Sequence, residues 1–313
     1  MSWLLQPPLL ASVVVASLYL LGARRRLRLL GRSPQFWFWR TCAFVSSLVL
    51  LELVLCPPFD RVADESLALH MLQHVVLMSV VPPLVVLAAP WLTIWRGLPL
   101  ALRRTLARAI VALPPSVRRG LRGCIAPLPA WLLINLDMGI WHVPWLYDLT
   151  LRSASAHYLE HVTFLALGVL FWLPVIDSPP LHPRLGELQR VAYVTAGATT
   201  GWLLSIVLAF APTPLYGTYA ALPHRWGGLS AIGDQQLAAG VMLGIGSIPF
   251  TVAIFVGLYR WLDEDTPARS RVRRRSPIPA PQTAGYAARR SGSRQAGNSA
   301  TAARSSNRPP ATR

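Results

Sequence analysis

Leu67-Ala68-Leu69-His70-Met71-Leu72-Gln73-His74-Val75-Val76-Leu77-Met78-Ser79-Val80-Val81-Pro82-Pro83 is almost wholly apolar, yet it carries two imidazoles four residues apart. Continued to Ala89, the run has the length of about 20 residues that a helix needs to cross a bilayer. On such a helix, positions i and i+4 share a face and lie about 6 Å apart along the axis. The pattern returns at His157-Tyr158-Leu159-Glu160-His161, which opens a second apolar run. Ionisable side chains inside a membrane helix are costly, so two such pairs mark a functional site.

The rest of the chain agrees with a membrane setting. Of its 313 residues 53% are hydrophobic and 14% are charged. The pattern predicts an all-α membrane protein, a bundle of about seven transmembrane helices at roughly 2–22, 36–56, 66–89, 129–143, 154–173, 190–211 and 234–258. Pro82-Pro83 predicts a kink in the third. The fourth is the shortest, begins among prolines and carries Asn135 and Asp137. Clusters at Arg24–Arg26 and between Arg96 and Arg122 place those loops in the cytoplasm by the positive-inside rule. The N-terminus is then outside and the C-terminus cytoplasmic. Within the second cluster, 98–113 reads as an amphipathic helix on the membrane surface.

The formal net charge of +17 is unevenly spread. Every basic residue is arginine, and eleven of them follow Leu262. Residues 1–262 therefore read as the transmembrane domain. Residues 263–313, rich in Arg, Ser, Ala and Pro, read as a disordered cytoplasmic tail. The bilayer is the expected partner of this charge, and nucleic acid is not, since no folded binding module accompanies it. Nothing basic precedes the first apolar run, so no signal peptide is expected. Cys42, Cys56 and Cys124 form no closed disulfide set and no CxxC, and read as packed thiols, with Cys56 set apart near a helix end.

That topology brings His70, His74, His142, His157, His161 and His224 to one depth on the outer side, with His182 alone on the other. Imidazoles bind copper, zinc, iron and nickel. The expected ligands are His70, His74, His157 and His161, with His142 next. Asp137 or Glu160 are candidates to accept from the far ring nitrogen of a ligand histidine. Asp234 and Gln235 lie at similar depth as supporting residues, although Asp234 also suits the N-cap of the last span. Met71, Met78, Met138 and Met242 add thioethers, which favour reduced copper, and each also suits plain packing. Bis-histidine haem, a structural polar network and a proton path are alternatives. His157 to His161 also matches the inverted zincin pattern H-x-x-E-H, but a protease needs a water-filled cleft and a further carboxylate ligand.

Three stretches carry a family resemblance. His70-Met71-Leu72-Gln73-His74 leading to Pro82-Pro83-Leu84 resembles the CtaG family of cytochrome c oxidase assembly proteins, the polytopic kind associated with caa(3)-type oxidases. Trp141-His142-Val143-Pro144 with Tyr147-Asp148, then His157 to His161, resembles its middle section. Gly233-Asp234-Gln235-Gln236-Leu237-Ala238 with Gly240 and Met242 resembles its last. The resemblance covers roughly 35–260. It implies a non-enzymatic role in maturing a haem–copper oxidase, in a bacterial inner (plasma) membrane, with oxidase subunits or other assembly factors as partners. A copper cargo, or transport of copper, is a conjecture alongside it.

Overall fold

A computed structural model describes residues 7–30, 34–182 and 185–264. The expected arginine-rich tail lies, after Glu264, outside the described residues. The chain divides between Trp261 and Leu262, and the site residues all belong to the first unit.

Among the described residues the regular structure is helical, apart from one isolated bridge between Ser178 and Leu181. Two long helices, α1 (Pro7–Leu30) and α2 (Pro34–Leu55), come first, then a short α3 (Phe59–Ala63). The histidine-bearing segment starts as α4 (Leu67–Val75), widens into a π-helical turn (Val76–Val80) and continues as α5 (Val81–Ala88). Pro82 and Pro83 lack the N–H groups that would bond the Met78 and Ser79 carbonyls, which accounts for a break in the ladder just before them. The kink expected from these prolines is therefore a wide turn.

Next come α6 (Trp91–Gly97), α7 (Leu100–Ala112) and α8 (Pro115–Cys124). Neither α7 nor α8 has a buried residue, as a surface-lying amphipathic pair requires. Then follow α9 (Pro127–Trp141), α10 (Pro144–Arg152), α11 (Ala154–Trp172), α12 (Glu187–Phe210), a short α13 (Gly217–Ala220), a 3₁₀ turn (Trp226–Gly228) and α14 (Ala231–Glu264).

Seven spans are expected from the sequence, and length with apolar content marks fewer helices outright. Among the described residues five helices are long and apolar enough to cross a membrane: Pro7–Arg25, Phe38–Leu55, Leu67–Ala88, Glu187–Phe210 and Ala231–Asp263. A sixth arises if Pro115–Cys124 and Pro127–Trp141, bent by 71°, act as one broken span. By itself α9 has 15 residues, too few at about 1.5 Å each for a core about 30 Å thick. The 19-residue α11 has the length, but His157, Glu160 and His161 lower its apolar content.

Those polar residues are placed by the packing of α11, which lies against α5, the π turn, α9 and α10. Gly168 makes the approach possible. A Cβ there would sit 2.7 Å from Pro82 Cγ and 2.8 Å from the Met78 carbonyl oxygen. Ser66 caps α4 through Leu69 N–H and Ser153 caps α11 through Ala156 N–H. Large apolar side chains on the outer faces, such as Val49, Leu53, Val207, Phe210, Val252 and Phe255, remain exposed. Lipid is the solvent that suits them.

Candidate metal centre

Four rings converge. His70 and His74, from α4, are 0% and 2% exposed, and His157 and His161, from α11, face them half-buried. One nitrogen of each ring lies within 4.8 Å of one nitrogen of every other. Ring centroids are 4.4 Å apart for His70–His74, 4.2 Å for His157–His161, 5.1 Å for His70–His157 and 5.3 Å for His74–His161. Each helix contributes an i,i+4 pair on one face, and the Gly168 crossing turns the two faces together.

Hydrogen-bond logic assigns the protons. The Tyr219 hydroxyl lies 2.8 Å from the Ala63 carbonyl and 2.8 Å from His70 Nδ1. A carbonyl can only accept, so the single phenolic proton goes to Ala63. His70 Nδ1–H then donates to Tyr219, which leaves His70 Nε2 with its lone pair, the form a metal ligand needs. His70 Nε2 lies 2.9 Å from His74 Nε2, so His74 is the donor there. A metal entering the cluster must displace that proton.

Several polar atoms here have no hydrogen-bond partner among the described residues: His74 Nδ1, His157 Nε2, His161 Nε2 and both carboxylate oxygens of Glu160. Glu160 is 0% exposed, with Oε2 3.7 Å from His74 Nε2. That gap is long for a hydrogen bond but close enough for charge to matter. A cavity of about 570 Å³ reaches the cluster from the side, between α1–α2 and α11, with Asp60, His157 and His161 in its wall. A groove of about 840 Å³ between α1 and α2 includes none of the histidines.

The other expected residues are placed differently. His142 is buried and is not among the four rings that gather within 4.8 Å; its Nδ1–H donates to the Met138 carbonyl at 2.7 Å and its Nε2 has no partner among the described residues. Asp137 accepts from Trp141 Nε1 at 3.0 Å and approaches no histidine by hydrogen bond. Asp234 is not the cap of its own helix, because Ser230 takes that role through Gly233 N–H. Instead Asp234 accepts from Ser66 Oγ and Leu67 N–H, both at 2.8 Å, and Ala68 N–H at 3.1 Å. It thereby anchors the start of the histidine-bearing α4. Gln235 accepts from Leu215 N–H and donates to the Leu208 carbonyl, fixing the loop after α12. His224 and His182 are exposed, the latter paired with Asp177 at 2.8 Å. Cys56 donates to Glu52, and burial pushes its thiol up to about 11, so it is a poor source of thiolate.

The model of the family described as cytochrome c oxidase caa3 assembly factor (Caa3_CtaG) matches residues 17–264. The chain belongs to this family. Curated relatives include the uncharacterized protein Mb0105 of Mycobacterium bovis and the uncharacterized protein MT0111 of Mycobacterium tuberculosis. Each is 24% identical over 214 residues, which cover 65% of this chain and 31% of the relative. The chain thus spans about a third of the length of the curated relatives it matches. No solved structure matches.

Within this Caa3_CtaG chain, three supporting residues escaped the sequence reading of the site. Tyr147 is fully buried beside His70 and packs at a tilt against Tyr216, with ring centroids 4.0 Å apart. Tyr219 sets the His70 tautomer. Gln73, between the two histidines, donates to the Val54 carbonyl at 2.8 Å and Asp60 Oδ1 at 3.0 Å, tying α4 to the end of α2 and to α3. The pair Tyr147-Asp148 was the available signal for Tyr147, whereas Tyr219 had none beyond its place in the aromatic-rich loop at 212–233. Asp148 holds α13 through the Gly217 and Thr218 N–H groups, and so positions Tyr219.

Proposed function

We propose that this protein serves oxidase assembly by holding copper in the four-histidine pocket and releasing it toward the oxidase. The observation that carries the reading is the convergence of His70, His74, His157 and His161 around unpartnered nitrogens beside the buried Glu160. Each buried polar group without a partner costs about 1–3 kcal/mol, and a bound cation would remove that cost for several groups at once. Among divalent first-row metals, copper binds nitrogen-donor sites most strongly. It is also the metal that a haem–copper oxidase must receive. The Glu160 carboxylate would offset its charge.

The role is that of a carrier, not an enzyme. The partners are oxidase subunits or other assembly factors, in a bacterial plasma membrane. The arginine-rich segment from Arg96 to Arg122 supports an orientation with the histidines toward the outside. The basic tail contributes attraction to anionic lipid. Bis-histidine haem suits the pocket less well, because rings this close leave no slot for a macrocycle between them.

Metal analysis of detergent-purified protein, loaded with Cu(II) in air, tests the reading. The wild type is expected to hold about one equivalent and His70→Ala/His74→Ala none. Absence of copper from both removes the copper reading. In cells lacking the protein, the oxidase is expected to keep haem and lack copper.

A further inference from the structure

Three methionines from three helical segments border one small cavity. His74 and Met78 are four residues apart on the segment that runs from α4 through the π turn, as are Met138 and His142 on α9 and its cap. On α14, Met242 lies two turns beyond Asp234. All three methionines line one cavity of about 50 Å³ that includes none of the histidines. The space is too small for an organic ligand and suits a single ion or water.

Methionine more often fills a gap than lines one. Here glycines border the gap. Gly168 and Gly197 let their helices approach closely, a Cβ there meeting Pro82 at 2.7 Å and Phe171 at 2.6 Å, and a Cβ at Gly201 would sit 3.9 Å from Met138 Sδ. Polar neighbours are already engaged. Asn135 Nδ2 donates to the Trp131 carbonyl at 2.7 Å, Trp202 Nε1 donates to Ser247 Oγ at 2.7 Å, and Ser247 donates to the Leu243 carbonyl. Met138 and Met242 are 4% and 9% exposed, so both are shielded from solvent.

We infer that Met78, Met138 and Met242 form a second metal site, a thioether site for monovalent copper. Thioethers are soft, neutral donors that select Cu(I). The charging cost of a buried ion rises with the square of its charge, so an uncharged pocket at this depth favours a monovalent ion over a divalent one. The donor set shares no residue with the histidine cluster, and the inference stands whether or not that cluster holds copper.

The test is anaerobic titration of the purified full chain with Cu(I) against a chromophoric chelator, with Ag(I) as a redox-silent probe. X-ray absorption then identifies the donor atoms. Wild type and His70→Ala/His74→Ala should both show sulfur around Cu(I). Met78→Leu/Met138→Leu/Met242→Leu should lose the sulfur signal and one Cu(I) equivalent. Leucine is close to methionine in volume, so folding should persist, as thermal melting and gel filtration will report. Gly201→Val, which fills the void and keeps all three methionines, should lose the same equivalent. A wild-type spectrum without sulfur, or equal Cu(I) uptake by the triple variant, overturns the inference. Loss of nitrogen donors alone in the histidine variant bears on the upper site and leaves this one standing.

Discussion

Tyr219 acts on His70 through one proton. Because its hydroxyl donates to Ala63, it accepts from His70 Nδ1 and leaves Nε2 bare. Tyr219→Phe removes that acceptor and frees the ring to take either tautomer. Copper affinity is expected to fall by about 10–100-fold, the usual effect of losing such a support, as read by chelator competition. The histidines themselves were legible in sequence, because an imidazole pair at i,i+4 in an apolar run has few bland explanations. Tyr219 was not, because a tyrosine in an aromatic-rich loop carries no mark of where that loop folds back. Asp234 was noticed for the wrong partner. Its position beside the start of the last helix suggested a local cap, and only tertiary packing brings it to Ser66, Leu67 and Ala68 instead.

Two contacts between elements hold the rings in register. Asp234 joins α14 to the first turn of α4, where its negative charge also suits the positive end of the helix. Asp234→Ala leaves buried donors unpaired and is expected to destabilise the bundle by about 3 kcal/mol, measured by denaturant unfolding in detergent. Asp234→Asn should lose less, because its amide oxygen still accepts. Gly168 joins α11 to the π turn. Gly168→Val forces the Met78 carbonyl and Pro82 away and is expected to cost about 1–3 kcal/mol. Its clearer readout is metal content. With α11 displaced, the two histidine pairs separate, and Cu(II) retained by a folded Gly168→Val protein would count against the four-ring site. The sequence announced the prolines that disturb this segment. It did not announce the π turn, because whether a break kinks or widens a helix depends on the neighbour pressed against it.

Across the whole molecule, the apolar runs made the helical class legible, while two of the seven expected spans do not stand out by length and apolar content alone. These are α9, which is short, and α11, whose polar residues belong to the candidate site. Charge at the loop surface gives a pH signature. Burial, then Asp60 and Glu65, raises the Asp64 carboxyl above its ordinary value of 3.8. Ionising it therefore costs the folded state more than the unfolded one. Its favourable contribution is complete below the unfolded pKa and is lost as pH rises through the folded pKa. Asp64→Asn is accordingly expected to raise the melting temperature at pH 7 and leave it unchanged at pH 3. The ties between Asp234 and Ser66 and between Tyr219 and His70 span 168 and 149 residues. A ribosome releases the first two histidines long before it makes either support. The nascent chain thus carries those two imidazoles with neither anchor nor fixed proton until its closing helix is made, so the placement of their rings belongs to the complete fold and to no earlier fragment.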